Sequence, residues 1–333
     1  MAGKALEIIR TGKKLAEKGL IVRSWGNISA REGKDSFLIT ASGRNYMSMS
    51  EEDVIRVSIR ELSFSGDVKP SSEMRVHREI YRIKPEAEFI IHTHQSNGSA
   101  VSAMGLSIVE PGKSGEIICA QYGLPGSGLL AAACSEAVKK TDRKAVIMKN
   151  HGAVCWGKDA EEALKAAEEL EEECGKYLEA LGIDPWKRED KDKGKYRDKE
   201  GRLWNRHPLV VRFTEEEKIM RPYLDDFAQM AGTGLKVAEE ASPEEIKTAE
   251  ERGIPLLIKG KGLLCAAERH EDEEALFTVV EKNCRAFYCA RAGKGRPLDP
   301  EDCMLMRKNY VTSYSRLFKR EAFRSSQEER KGS

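Results

Sequence analysis

The chain has 333 residues, 33% of them charged and 40% in the hydrophobic set, with a formal net charge of +1. That length exceeds what one average hydrophobic core serves, so two domains are expected. The near-neutral balance gives no overall field to attract nucleic acid or an anionic membrane surface, and no apolar run approaches the roughly 20 residues of a membrane span. An anionic ligand would have to be met by a local site.

The first stretch, MAGKALEIIRTGKKLAEKGLIV, spaces Leu6, Ile9 and Leu20 among charges at helical intervals. It lacks the apolar core and small-residue cleavage site of a secretory signal, and reads as a first helix of a cytoplasmic protein. SWGNIS (24–29) and TASGR (40–44) are loops of glycine and small polar residues, whose N–H groups could face a phosphate. Between them SFLITA (36–41) has the pattern of a strand.

In VKPSSEMRVHREIYRI (68–83), Pro70 discourages helix before it, and Val76, Ile80 and Ile83 give a short amphipathic helix from Ser72. Ser71 and Ser72 fall where N-caps belong, so free N–H groups, the helix dipole and two hydroxyls would together suit an anion. Glu73 sits in the first turn, where a carboxylate stabilises the helix or, beside a metal, serves as ligand or general base.

AEFIIHTH (87–94) and KAVIMKNHG (144–152) read as strands. Side chains alternate along a strand, so His92 and His94 project to one side, a common way to present two imidazoles to one ion. His151 also lies at a strand end, next to a glycine. Three such histidines suit a zinc site with an open position, and would equally hold iron, manganese or cobalt. From Asp159 to Leu181 the apolar residues fall on one helical face, with Asp159 and Glu162 as a capping signal and Gly182 as a stop.

DPWKREDKDKGKYRDKEGRLWNRH (184–207) is dense in charge and poor in aliphatics, and reads as a surface linker. Beyond it the pattern repeats. VIMKNHGAVCWG (146–157) and LLIKGKGLLCAA (256–267) align Lys149 with Lys259, Gly152 with Gly262 and Cys155 with Cys265, and each is followed by an acidic helix that aligns Cys174 with Cys284. His151 is replaced by Lys261, so the second half reads as a copy that has lost its imidazole. The eight cysteines form no CxxC pair and are expected to be reduced thiols.

Taken in order, RSWGNISARE, LITASG, PSSEMRVHREIY, IIHTHQSNGSA, CAQYGLPGS and MKNHGAVCWG resemble the class II aldolase/adducin family over residues 20–180, closest in motif to its fuculose-1-phosphate aldolases. In the second half YLDDFAQMAG, EKNCRA and MRKNYVTSYSRLFKRE resemble the degenerate partner domain of tandem members. The resemblance implies an α/β fold: a three-layer α/β/α domain with a central, mainly antiparallel sheet, present twice. The expected division is a metal-containing domain at 1–182, a charged linker at 183–207 and a degenerate domain at 208–333.

The resemblance also implies roles. His92, His94 and His151 would hold Zn2+, Glu73 would be the base, and Gly26, Asn27, Ser42, Gly43, Ser71 and Ser72 would hold substrate phosphate. Tyr122 would act as acid across a subunit interface, and His77 would be structural. The implied activity is a zinc-dependent aldolase that cleaves or forms a ketose 1-phosphate through a metal-bound enediolate of dihydroxyacetone phosphate. Epimerases, a dehydratase and non-catalytic adducin scaffolds share the family. The implied assembly is a homodimer forming a pseudo-tetrameric ring, with no nucleic-acid or membrane partner. If live and empty domains alternate in it, the acid would come from the second domain, from Tyr310 or Tyr314.

Overall fold

A computed structural model describes residues 2–21, 24–109, 115–267 and 270–314. Arg23, which opens the first family-like motif, and the C-terminal motif from residue 315 onward lie outside the described residues.

The first half contains α1 (Ala2–Glu17), β1 (Asn27–Glu32), β2 (Ser36–Thr40), β3 (Val54–Ser58), α2 (Met74–Ile83), β4 (Phe89–Thr93), α3 (Ser96–Ser102), β5 (Cys119–Ala120), α4 (Gly128–Lys139), β6 (Ala145–Met148), β7 (Gly152–Gly157) and α5 (Ala160–Ala180). Its seven strands lie in the order β3-β2-β1-β4-β7-β6-β5, and only the β5–β6 pair is parallel. Strand alternation sorts the side chains into two cores. Ile28, Leu38, Ile91 and Cys155 face α1, α3 and α5, whereas Phe37, Ile39, Ile90, Val154 and Trp156 face α2 and α4. The result is the expected three-layer domain. Asp159 caps α5 by accepting from the Glu162 N–H at 2.8 Å.

The second half contains β8 (Lys195–Arg197), β9 (Leu203–Asn205), α6 (Pro208–Glu216), β10 (Ile219–Met220), α7 (Asp225–Ala231), β11 (Leu235–Ala238), α8 (Pro243–Arg252), β12 (Leu256–Ile258), β13 (Gly262–Leu264), α9 (His270–Gly293) and α10 (Pro300–Asn309). Its sheet runs β10-β11-β12-β13-β9-β8, with β11–β12 parallel and the other pairs antiparallel. Strand by strand, β8-β9-β13-β12-β11 repeats β1-β4-β7-β6-β5, down to the single parallel pair. The tight β6–β7 turn closes Met148 on Gly152, as the β12–β13 turn closes Ile258 on Gly262.

The register extends the repeat beyond what the residues alone reveal. His92 pairs with Val154, and Trp204 pairs with Leu264, the residue equivalent to Val154. Trp204 therefore stands where His92 does, Arg206 where His94 does, and Lys261 where His151 does.

Two expectations need correction. The charged segment 183–207 is not merely a linker, because it supplies β8 and β9. Leu203, Trp204 and Asn205 are buried, and a short buried strand flanked by charge carries too little periodicity to stand out. The helix expected from Ser72 begins at Met74, with Glu73 at its N-cap position.

The two halves of the chain pack closely. Ala286 and Ala290 of α9 lie against Ala103, just past α3, and Trp25 of the first half belongs to the core of the second. All eight cysteines are buried and unpaired. Among the described residues no helix is long and apolar enough to cross a membrane.

Candidate metal centre and substrate cavity

His92 lies two residues after Ile90 and so shares the sheet face covered by α2, the helix that Glu73 precedes. His94 follows the same strand, and His151 sits in the β6–β7 turn beside it. Two glycines allow the approach. Gly26 has φ of +110°, and a Cβ there would lie 2.6 Å from the His92 carbonyl oxygen; a Cβ on Gly152 would lie 2.2 Å from that of Thr93. Asn150 of the same turn takes up a left-handed backbone at φ +59°, which asparagine tolerates better than most residues.

The three imidazoles form a triangle, with ring centroids 4.8 Å apart on every edge. His92 Nε2 lies 3.0 Å from both His94 Nε2 and His151 Nε2. A tetrahedral ion with nitrogen ligands at about 2.0–2.1 Å would space its donors by roughly 3.3 Å, so the group is close to coordination geometry. His92 Nδ1 donates to the Ala153 carbonyl at 2.8 Å, which leaves its Nε2 with the lone pair. Glu73 completes the cluster, its two oxygens 3.1 Å from His92 Nε2 and His151 Nε2. These buried donors fit a metal ion.

Burial disfavours charge on Glu73, yet His92, His151 and the hydrogen bond from Asn27 Nδ2 at 2.9 Å outweigh it and hold the carboxyl well below its usual range. Burial lowers His92 to about 3 and His94 to about 4. Burial also opposes a proton on His151, but Asp225 and Glu73 overcome it and raise the group to about 9.

Gly26, Asn27, Ser42, Gly43, Ser71, Ser72, Glu73 and the three histidines all line one cavity, so the expected metal and phosphate residues converge. Ser71 Oγ accepts from the Glu73 N–H at 3.2 Å, which shapes the turn into α2. Asn27 spends both ends of its side chain on protein groups, donating to Glu73 and accepting from His77 Nε2 at 2.5 Å.

Tyr122 does not reach this cavity. Its hydroxyl donates to Asp302 Oδ2 of α10 at 2.8 Å, and burial followed by that hydrogen bond raises its pKa. Tyr310 is turned elsewhere, its hydroxyl 3.4 Å from Asp272 Oδ1, and the side chain of Tyr314 lies outside the described residues.

Four further residues at or beside the site come from the second half. Asp225 and Gln229 of α7 line the cavity, and Gln229 accepts from Trp25 Nε1 at 3.0 Å. Asp226 lies 3.6 Å from His94 Nδ1 and pairs with Lys282 of α9. Their motifs, YLDDFAQMAG and EKNCRA, were visible, but nothing in their spacing says that they cover the histidines.

Residues 6–178, just over half of the chain, match the family model described as Class II Aldolase and Adducin N-terminal domain. The chain belongs to that family.

The chain is 34% identical over 173 residues to an L-fuculose phosphate aldolase of Methanocaldococcus jannaschii, covering 50% of this chain and 91% of that protein. It is 30% identical over 171 residues to a 5-deoxy-D-ribulose 1-phosphate aldolase of Bacillus thuringiensis serovar kurstaki, covering 50% of this chain and 79% of that one. A solved structure of an L-fuculose 1-phosphate aldolase matches with a TM-score of 0.49 and 25% identity over 57% of this chain and 93% of that one.

Proposed function

We propose that this class II aldolase family member is a metal-dependent aldehyde-lyase, with zinc as its ion, acting on a ketose 1-phosphate and yielding dihydroxyacetone phosphate. The carrying observation is that three histidine Nε2 atoms and both oxygens of Glu73 converge in a cavity also lined by the Ser/Gly loops. Relatives named as L-fuculose phosphate and 5-deoxy-D-ribulose 1-phosphate aldolases support the substrate class.

His92, His94 and His151 would hold the ion, which when bound supplies Lewis acidity toward substrate oxygens. The remaining work falls to the chain itself. N–H groups before α2 and in the Gly26 and Gly43 turns, with the Ser42, Ser71 and Ser72 hydroxyls, take the phosphate and orient the other end of the substrate. In condensation Glu73, held ionised and steered by Asn27, accepts the carbon-bound proton of dihydroxyacetone phosphate at one carboxylate oxygen; in cleavage it returns a proton to that carbon. Tyr122 serves as acid only where its hydroxyl leaves Asp302 for a neighbouring copy.

The test is to load the full chain with zinc, offer a panel of ketose 1-phosphates and assay dihydroxyacetone phosphate. Glu73→Gln should lower turnover by about 100-fold or more while phosphorylated ligands still bind. Inversion of one centre or loss of water, without fragments, would make the protein an epimerase or a dehydratase. No bound metal and no metal-stimulated activity would leave the scaffold role.

A further inference from the structure

The second half lacks the imidazoles, yet it places two carboxylates behind those of the first. Asp225 Oδ2 lies 3.3 Å from His151 Nδ1, and Asp226 Oδ2 lies 3.6 Å from His94 Nδ1. With the Ala153 carbonyl behind His92, each ring of the triangle has an oxygen at its back and its Nε2 at the front. All of these groups are buried, Asp225 and Lys282 at 1% exposure and Asp226 at 0%. Among the described residues, His94 Nδ1, His151 Nδ1 and Asp225 Oδ2 are buried with no hydrogen-bond partner, and the two aspartates are the carboxylates placed to take up the Nδ1–H groups once the rings are oriented by an ion.

Burying carboxylates is costly unless charge and hydrogen bonds compensate. Asp226 is compensated in part by Lys282, whose ammonium also donates to the His94 carbonyl oxygen at 3.1 Å. Asp225 Oδ1 accepts from the Asp226 N–H at 2.8 Å, and its Oδ2 lies beside His151 Nδ1.

We propose that Asp225 and Asp226 are positioning residues for the metal centre, accepting from Nδ1–H of His151 and His94 and so fixing the tautomer that offers Nε2 to the ion. The second half is then part of the live site, supplied in the same chain by α7 and anchored through α9. This rests on the metal reading above and extends it from the three ligands to what orients them.

The experiment measures Zn2+ and Co2+ affinity of the full chain by competition with a chromophoric chelator, together with the visible spectrum of the Co2+ form. Asp225→Ala should weaken binding by about 10- to 100-fold and shift the cobalt bands. Asp225→Asn keeps a carbonyl acceptor and should restore most of the affinity. Because Asp226→Ala alone would strand the Lys282 charge, it is combined with Lys282→Met; that double variant should weaken binding similarly and gives an independent reading if Asp225→Ala does not fold. Thermal unfolding of the metal-free forms separates a fold role, which would lower the melting temperature and leave affinity alone. Wild-type affinity and cobalt spectra in Asp225→Ala and in the double variant would overturn this inference only. A wild-type chain that binds no ion would overturn the metal reading and this inference with it.

Discussion

Behind Glu73 runs a row of hydrogen bonds with a single direction. Tyr81 and Ser29 hydroxyls lie 2.8 Å apart, Ser29 Oγ lies 2.6 Å from His77 Nδ1, and His77 Nε2 donates to Asn27 Oδ1 at 2.5 Å, while Asn27 Nδ2 donates to Glu73. An amide oxygen only accepts, so His77 carries its proton on Nε2, and Nδ1 accepts from Ser29. The resemblance implied a structural His77; the geometry gives it a direction, toward the base. His77→Phe should therefore lower turnover by about 10- to 100-fold through a misplaced Asn27 and Glu73, with metal content unchanged. Metal content falling in step with turnover would mean that the substitution collapsed the site. His77 also carries a pH signature. Burial lowers it to about 3, with His92 adding to the effect, against an unfolded value near 6.5. The unfolded chain gains a proton that the folded chain does not, so stability is lost as pH falls from about 6.5 toward 3. His77→Phe should flatten the melting-temperature profile of the metal-free chain over that window, and an unchanged slope would argue against a neutral His77.

The β6–β7 turn shows what an element contributes that its residues do not. A methyl group on Gly152 would meet the Thr93 carbonyl oxygen, and Gly262 meets that of Asn205 in the same way, each at 2.2 Å. These contacts bring the hairpin against the neighbouring strand and so carry His151 to His92. Gly152→Ala should cost about 2 kcal/mol or more and weaken metal binding by displacing His151, read by thermal unfolding and chelator competition. An unperturbed melting temperature would show that the turn yields. The first arm of this hairpin was legible in the sequence because an apolar run closed by a glycine is a local signal; KAVIMKNHG (144–152) reads as one strand, whereas the chain leaves β6 at Met148 and turns into β7 at Gly152. His92 and His94 were legible for the same reason, since strand alternation alone puts them together. What lay between distant segments was not. Leu203–Asn205 becomes a strand only between β13 and β8, and two aspartates opening a helix read as ordinary partners of its dipole. Their burial is decided by His94, the β6–β7 turn and Lys282 of α9, which no window around residue 225 contains. The placement of Trp204 and Arg206 opposite the histidine positions also needed the pairing register.

At the scale of the molecule, one half carries the three histidines proposed as ligands and the other covers them. Because Trp204, Arg206 and Lys261 stand at all three ligand positions of the second sheet, restoring one imidazole is not enough. Lys261→His should leave the metal content at about one ion per chain by elemental analysis, and a second ion would contradict the register argument. The same packing bears on the assembly. Tyr122 packs beside Ala228, Leu298 and Met306 of the second half, where its hydroxyl donates to Asp302. Its neighbour within the chain is thus the half without histidines at the three candidate ligand positions, and a catalytic Tyr122 must reach a live site of another copy. We propose a homodimer as the assembly that would allow this, since a two-fold axis is the commonest closed arrangement. The measurement is a Tyr122→Phe variant assayed alone and mixed with Glu73→Gln, with light scattering on both. A dimer in which each variant is inactive and the mixture regains activity places Tyr122 at the partner's site, because only hybrid dimers pair an intact tyrosine with an intact base. Full activity of Tyr122→Phe alone assigns the residue to the Asp302 contact and leaves the acid to a group of the second half. A monomer that turns over substrate removes the cross-subunit role outright, and makes the covering helix α7 the element that replaces a neighbour.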